Sequence, residues 1–140
     1  MGLRVAIKLG GGLITDKGSM KKFDQKAVER VVGSLSSVSE LGASIILVHG
    51  AGSFGHLLAK KWGIANGLNI HQEEEQVEAV RDIRSDMREL NGLVIEKMTG
   101  MGLECSGHPP SEWVKGTGPG FKGDVSIFER KQIFILYSDN

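Results

Sequence analysis

The chain has 140 residues, 40% of them hydrophobic and 24% charged, which is typical of one folded domain with its own core. Its 17 basic and 17 acidic residues cancel, so no overall field favours nucleic acid or an anionic membrane as a partner. The single cysteine, Cys105, excludes an intrachain disulfide. No apolar run approaches the roughly 18 residues of a membrane span, and we expect a cytoplasmic protein.

The N-terminal segment combines a short strand with a glycine turn. Residues 3–9 are mostly apolar and predict a strand that leads directly into Gly10, Gly11 and Gly12, with Lys8 near the strand's end. Glycines let backbone N–H groups converge on an anion without interference from a Cβ atom. The turn and Lys8 therefore form a candidate phosphate site, and a solvated surface lysine is the alternative reading of Lys8.

A helix and a second strand are predicted next. Phe23 and Asp24 have the pattern of a hydrophobic staple and an N-cap, and Gly42 supplies the stop signal. Between them, apolar residues recur at helical spacing: Val28, Val31, Val32, Leu35, Val38 and Leu41. Residues 43–48 are almost continuously apolar, which predicts a strand buried on both faces of a parallel sheet.

The most informative segment follows this strand and reads HGAGSFGH at residues 49–56. It places a glycine-rich turn at the carboxyl end of a buried strand, where open α/β sheets bind their ligands. His56 stands at the predicted start of the next helix and is expected to face an anion held by the turn. His49, at the end of the strand, is expected to be structural. Two glycine turns of this kind indicate phosphoryl transfer.

The rest of the chain predicts a long helix, a long loop and two short strands. The helix is marked by apolar residues three or four apart: Val77, Val80, Ile83, Met87, Leu90, Val94 and Met98. Glycines and prolines mark residues 106–123 as a loop of a length that is often functional. Residues 125–128 and 133–137 are predicted strands. The alternation of strands and helices indicates an α/β fold.

Three segments together resemble the N-terminal half of isopentenyl phosphate kinase, in the amino acid kinase superfamily. They are IKLGG at residues 7–11, ITDK at residues 14–17 and VHGAGSFGH at residues 48–56. The resemblance implies an amino acid kinase-like fold, a three-layer αβα sandwich with a mostly parallel sheet. Residues 1–140 would form the N-terminal, acceptor-binding lobe. The C-terminal, nucleotide-binding lobe is expected to be absent, so the domain would be truncated.

The resemblance also implies a reaction, in which the γ-phosphoryl group of ATP is transferred to isopentenyl phosphate with Mg²⁺ present. The acceptor phosphate has a second pKa of about 6 and is largely dianionic at neutral pH, so it needs no general base. The reaction instead requires N–H groups and cations that bring two phosphates together. By resemblance, Lys8 and Lys17 would hold the transferring phosphate, and His56 would hydrogen-bond the acceptor phosphate.

The resemblance also implies which glycine-turn residues contact ATP and which contact the acceptor. Contacts to the ATP phosphates are expected from Lys8, Gly10, Gly11, Gly12 and Gly52. Contacts to the acceptor are expected from Gly50, Ala51, Gly55 and His56, and its prenyl tail would lie against Val80 and Ile83. Plain core packing explains the last two residues equally well. Mg²⁺ is expected to bind through phosphate oxygens and water, with no metal site in the protein.

Two residues depart from the family pattern. Gly12 stands where members commonly carry serine, and Ala51 replaces the middle glycine of the second turn. Alanine still offers its N–H group, but it would fit poorly if that position needs a positive φ.

Three hypotheses follow. The first is an isopentenyl phosphate kinase, expected to be a homodimer and to need a C-terminal lobe for catalysis. The second is another kinase of the superfamily, whose acceptor is a different phosphate or a phosphonate. The third is a non-catalytic phosphate-binding fragment, which would bind ligand without turnover.

Overall fold

The computed structural model describes residues 2–116, 118–129 and 133–137. The strands are β1 (Arg4–Leu9), β2 (Ser44–His49), β3 (Cys105–His108), β4 (Val114–Lys115), β5 (Lys122–Gly123) and β6 (Ile133–Tyr137). The helices are α1 (Gly11–Ile14), α2 (Gln25–Glu40), α3 (His56–Lys61), α4 (Glu73–Gly100) and α5 (Pro110–Trp113). Short 3₁₀ turns cover Gly52–Phe54, Ile64–Asn66, Gly118–Gly120 and Val125–Glu129.

Four strands form one parallel sheet in the order β1-β2-β6-β3, and β4 and β5 form a separate antiparallel pair. The α/β class and the mostly parallel sheet are therefore confirmed. The register of β1 and β2 pairs Leu9 with His49, the last residues of the two strands. Both glycine turns consequently leave the sheet at the same edge, because parallel strands end on the same side.

The core lies on one face of this sheet, where α2 and α4 cover the strands. Ile45, Leu47 and Ile135 are completely or almost completely buried, and they pack with buried side chains of both helices, among them Val32 and Met87. The alternate residues of β1 and β2 point to the opposite face and are less buried. The prediction that β2 is buried on both faces is therefore correct for one face, and the other is only half-buried.

The predicted boundaries of α2 are confirmed by its local contacts. The Asp24 carboxylate accepts a hydrogen bond of 2.9 Å from the Ala27 N–H, which is the geometry of an N-cap. Gly42 takes a φ of 76°, which ends the helix. The predicted apolar stripe extends one residue too far, since Leu41 lies beyond the last helical turn and is 80% exposed.

The long helix α4 shows a second departure from its periodic pattern. Val77 is 42% exposed, whereas Gln76 beside it is buried. The reason is hydrogen bonding: the Gln76 amide donates to the carbonyls of Trp62 (2.9 Å) and Gly67 (3.3 Å) and accepts from the Asn69 N–H (2.8 Å). Gln76 thereby fastens the preceding loop to the helix. Within the described ranges, no helix is long and apolar enough to cross a membrane.

The predictions for residues 105–129 need two corrections. The predicted loop contains β3, α5 and the β4–β5 pair, and its residue 117 lies outside the described residues. The predicted strand at residues 125–128 is wrong, because Val125–Glu129 forms a 3₁₀ turn. The Asp124 carboxylate accepts hydrogen bonds from the Ser126 N–H (3.0 Å) and hydroxyl (2.6 Å), which favours a turn over an extended backbone.

Candidate functional site

The two glycine turns are packed directly against each other. A Cβ atom added to Gly11 would overlap the backbone nitrogen of Gly52 and lie 2.7 Å from its Cα. A Cβ atom added to Gly52 would lie 2.5 Å from the Gly11 carbonyl oxygen, and Gly52 also has a φ of +51°. Gly50 also packs against Gly11: a Cβ atom added to Gly50 would lie 3.0 Å from the Gly11 backbone nitrogen. Only glycine allows this approach, so the fold joins two motifs that are far apart in sequence.

Two hydroxyl residues fasten the turns together. The Thr15 hydroxyl donates to the Gly11 carbonyl at 2.8 Å and accepts from the Ser53 N–H at 3.0 Å. Both residues are 3% exposed. Thr15 and Ser53 were not predicted as site residues, because a hydroxyl that bonds across the fold leaves no periodic or motif signal in the sequence.

The backbone N–H groups of the second turn differ in their hydrogen bonding. The Gly50 N–H donates to the Leu9 carbonyl at 3.1 Å. The N–H groups of Ala51 and Gly52, in contrast, have no acceptor among the described residues. Ala51 has φ −75° and ψ −34°, so alanine fits its position, and the positive φ of the turn falls on Gly52 instead.

The end of the second turn rests on α4. Gly55 is buried, and a Cβ atom there would lie 2.8 Å from the Ala51 methyl, 3.5 Å from Met87 Sδ and 3.6 Å from Ile83 Cγ2. Phe54 is 2% exposed and anchors the turn in the core. This packing sets the direction in which α3 leaves the turn.

The three side chains predicted to contact phosphate, those of Lys8, Lys17 and His56, are all exposed at or near these turns. Lys8 is the penultimate residue of β1, and His56 is the first residue of α3. Lys17 folds over the first turn: a Cβ atom on Gly12 would overlap Lys17 Cε and lie 3.1 Å from Nζ. None of the three side chains has a hydrogen bond or ion pair with another described residue, so each can meet an external anion.

His49 has the structural role that was predicted for it. It is 1% exposed, its Nδ1 donates to the Gly50 carbonyl at 3.1 Å, and its Nε2 accepts from the Asn91 amide at 3.1 Å. Burial lowers the pKa of His49, which keeps the ring neutral and consistent with one donor and one acceptor nitrogen. Asn91 has room beside His49 because residue 107 is glycine. A Cβ atom there would overlap the Asn91 side-chain oxygen.

Val80 and Ile83, which were predicted together, occupy different places. Val80 lines a cavity of about 310 Å³ between α4 and the preceding loop, with Ile64, Leu68 and Val77 among its other walls. Ile83 is 4% exposed and lies beneath Gly55. Val80 is thus available to an apolar ligand, whereas Ile83 supports the glycine turn.

No group of three or more His, Cys, Asp or Glu residues that could hold a metal ion occurs in the part of the chain that the structure describes. The Asp16 carboxylate accepts from the Gly18 N–H at 3.0 Å and pairs with Lys22 at 3.3 Å, and these contacts hold its pKa below the usual value.

The two glycine turns meet at the carboxyl ends of β1 and β2 in a parallel sheet. This arrangement defines an α/β protein of the class that binds ligands at the carboxyl ends of its strands. Comparison with known families narrows the class. The profile of the amino acid kinase family matches residues 3–139. The chain belongs to that family.

The relatives that the chain matches carry a more specific name. It is 32% identical to the isopentenyl phosphate kinase of Thermoplasma acidophilum over 97 residues, which are 69% of this chain and 37% of that protein. It is 27% identical to that of Methanothermobacter thermautotrophicus over 145 aligned positions, covering 96% and 53%. An X-ray structure of an isopentenyl phosphate kinase superimposes with a TM-score of 0.84 at 24% identity, covering 96% and 56%. The chain spans about half the length of these proteins, or less.

Proposed function

We propose that this chain is the acceptor-binding lobe of an isopentenyl phosphate kinase, which transfers the γ-phosphoryl group of ATP to isopentenyl phosphate and yields isopentenyl diphosphate. The observation that carries the proposal is the packing of the first glycine turn against the second, in which Gly11 contacts both Gly52 and Gly50. It brings a donor-side and an acceptor-side glycine turn to one point, as in-line transfer between two phosphates requires. The names of the matched relatives support the choice of reaction.

Positioning and charge neutralisation are the catalytic tasks in this proposal. The acceptor phosphate is already nucleophilic as a dianion, so no side chain has to remove a proton from it. Lys8 and Lys17 hold the transferring phosphoryl group and offset the charge that develops on it. His56 donates a hydrogen bond to the acceptor phosphate, which distinguishes this acceptor from a carboxylate.

The backbone groups complete the two phosphate sites. The ATP phosphates lie against Gly10, Gly11, Gly12 and Gly52. The acceptor phosphate lies against Gly50, Ala51 and Gly55. The available N–H groups of Ala51 and Gly52 suit phosphate oxygens, since a buried anion needs donors whose own bonds are not already made. When Mg²⁺ is bound, it neutralises phosphate charge and is held by phosphate oxygens and water.

The apolar tail of the acceptor has a candidate position against helix α4. A five-carbon prenyl group is small enough for the cavity of about 310 Å³ that Val80 lines. Ile83, three residues further along α4, belongs to the core and lies beneath Gly55. The remaining nucleotide contacts would come from a nucleotide-binding lobe outside these 140 residues, and a homodimer is part of the same proposal.

The proposal is tested by calorimetric titration of the purified chain with isopentenyl phosphate, inorganic phosphate and isopentenol, followed by a product assay with MgATP. We expect isopentenyl phosphate to bind more tightly than either part alone. A phosphonate that competes better would favour another acceptor within the superfamily. If the chain binds isopentenyl phosphate but forms no ADP, and ADP formation appears when a nucleotide-binding lobe is supplied, the two-lobe form is supported. Absence of binding by both phosphates would contradict the proposal.

A further inference from the structure

The loop formed by residues 16–22 carries Lys17 and is closed at its base. The Asp16 N–H donates to the Lys22 carbonyl at 2.9 Å, and the Asp24 N–H donates to the Ile14 carbonyl at 2.8 Å. Lys17 itself lies over Gly12. The position of the loop therefore decides where the Lys17 ammonium stands relative to the glycine turns.

Lys21, in the same loop, has an unusual backbone. Its φ is 53°, and it is the one non-glycine residue with a positive φ among the residues that the structure describes. This conformation costs free energy for any residue with a Cβ atom and persists where surrounding contacts impose it. Glycine would adopt it freely, so the contacts of the lysine side chain must explain its presence.

The contacts of Lys21 run in two directions. Its Nζ pairs with Asp86 Oδ1 at 2.9 Å and with the Glu89 carboxylate, both on α4. The hydrogen bonds to Glu89 and Asp86 hold the pKa of Lys21 above its usual value, so the side chain is charged. Its backbone N–H donates to the Ser53 carbonyl at 3.3 Å.

Ser53, in the second glycine turn, is consequently held on all of its polar atoms by the N-terminal segment. Its carbonyl accepts from Lys21, its hydroxyl accepts from the Lys22 N–H at 3.3 Å, and its N–H donates to Thr15. The two bonds from the loop are long and would not by themselves hold the loop firmly. The ion pairs to α4 supply the missing restraint, because α4 also supports the turn through Ile83 and Met87.

We propose that Lys21 is a positioning residue of the phosphate site. Its ammonium ties the loop to α4, and this tie fixes Lys17 relative to the two glycine turns and holds the loop against Ser53 of the second turn. The inference rests on the proposed function in one respect, since it takes the glycine turns as the place where phosphate binds. Lys21 itself does not touch the phosphates.

The test measures the affinity for pyrophosphate and for isopentenyl phosphate by calorimetry in four variants. Lys21→Met should weaken binding roughly five- to tenfold, and Lys21→Arg should restore it to within about twofold of the unaltered chain. The double variant Asp86→Asn/Glu89→Gln should also weaken binding, although it removes two negative charges. Lys97→Met is the matched control, because it breaks another ion pair of α4, with Glu29 at 2.6 Å, and should leave affinity unchanged.

The double variant separates a mechanical tie from a simple field effect. If Lys21 acted only through its charge, removing the two carboxylates would strengthen anion binding, and that result would overturn the proposal. Amide hydrogen exchange at Lys22, whose N–H donates to the Ser53 hydroxyl, provides a readout without ligand: it should be faster in Lys21→Met and unchanged in Lys97→Met. Unchanged exchange in Lys21→Met would also overturn the proposal. An unaltered chain that binds neither phosphate contradicts the proposed function, and the exchange result then decides the role of Lys21.

Discussion

The Ser53 N–H donates a hydrogen bond of 3.0 Å to the Thr15 hydroxyl across a separation of 38 residues in the chain. The same hydroxyl donates to the Gly11 carbonyl, so one buried oxygen joins both glycine turns. A threonine is suited to this place because its hydroxyl can donate and accept at once. The packing of the two turns therefore depends on a side chain that belongs to neither turn.

Removing this hydroxyl should destabilise the protein. In Thr15→Val the buried Ser53 N–H loses its acceptor, which costs about 1–3 kcal/mol of the free energy of unfolding. Urea denaturation measures the change. Thr15→Ser should recover most of the loss, and Ser34→Ala is the control, since its exposed hydroxyl makes a single 3.3 Å bond to the Arg30 carbonyl. A Thr15→Val protein as stable as the original would show that the joint is dispensable.

Adding a methyl group at Gly52 should disrupt the contact between the turns. The new Cβ would overlap the Thr15 hydroxyl oxygen, and a φ of +51° is strained for alanine. We expect Gly52→Ala to lower the melting temperature and to abolish phosphate binding. Gly33→Ala is the matched control, because nothing lies within 4 Å of its Cβ in helix α2, and it should stabilise by roughly 0.5–1 kcal/mol. Similar melting temperatures for the two variants would contradict the packing.

The buried His49 should make stability fall at acidic pH. Its folded-state pKa is lowered by burial, so below about pH 6.5 the unfolded chain takes up a proton that the folded chain excludes. The free energy of unfolding therefore has its full value above that pH. It decreases as the pH falls toward the folded-state pKa, by up to about 1.4 kcal/mol per pH unit. Urea unfolding at several pH values in this range should show that the free energy of unfolding changes less steeply with pH in His49→Gln. The exposed His71→Gln should match the original, and equal slopes in all three proteins would argue against a neutral His49.

Loss of the His56 ring should affect ligand binding rather than folding. The side chain is exposed and makes no hydrogen bond or ion pair with another described residue, so His56→Ala should unfold at nearly the same urea concentration as the original chain. Its affinity for isopentenyl phosphate should fall roughly tenfold, the loss expected for one charge-assisted hydrogen bond. His71→Ala serves as the control in the same titration. An unaltered affinity in His56→Ala would remove His56 from the acceptor site.

Loss of the Lys8 ammonium should lower turnover in a protein that carries this lobe together with a nucleotide-binding lobe. Lys8→Ala removes charge stabilisation of the transferring phosphoryl group, for which we expect a decrease in kcat of about 10²-fold or more. Circular dichroism should be unchanged, because Lys8 is exposed at the end of β1. Near-normal kcat would place Lys8 outside the site.

The local elements could be predicted because neighbouring residues determine them. The Asp24 N-cap, the Gly42 stop and the strand before His49 depend on contacts within a few residues, and each is confirmed. The glycine turns were recognisable for the same reason. The turn at residues 125–129 was missed because one Asp124 carboxylate outweighed the strand propensity of its apolar neighbours.

By itself, the sequence determined the α/β class and the two glycine turns, and it suggested Lys8, Lys17 and His56 as candidate phosphate contacts. Only the tertiary structure decided that Gly11 and Gly52 touch, that Ala51 needs no positive φ, and that Val80 and Ile83 serve different surfaces. It alone revealed that Thr15 and Ser53 join the turns and that Lys21 pairs with α4. The physical reason is distance along the chain: such contacts depend on parallel strands ending at one edge, and no local pattern of residue types records them.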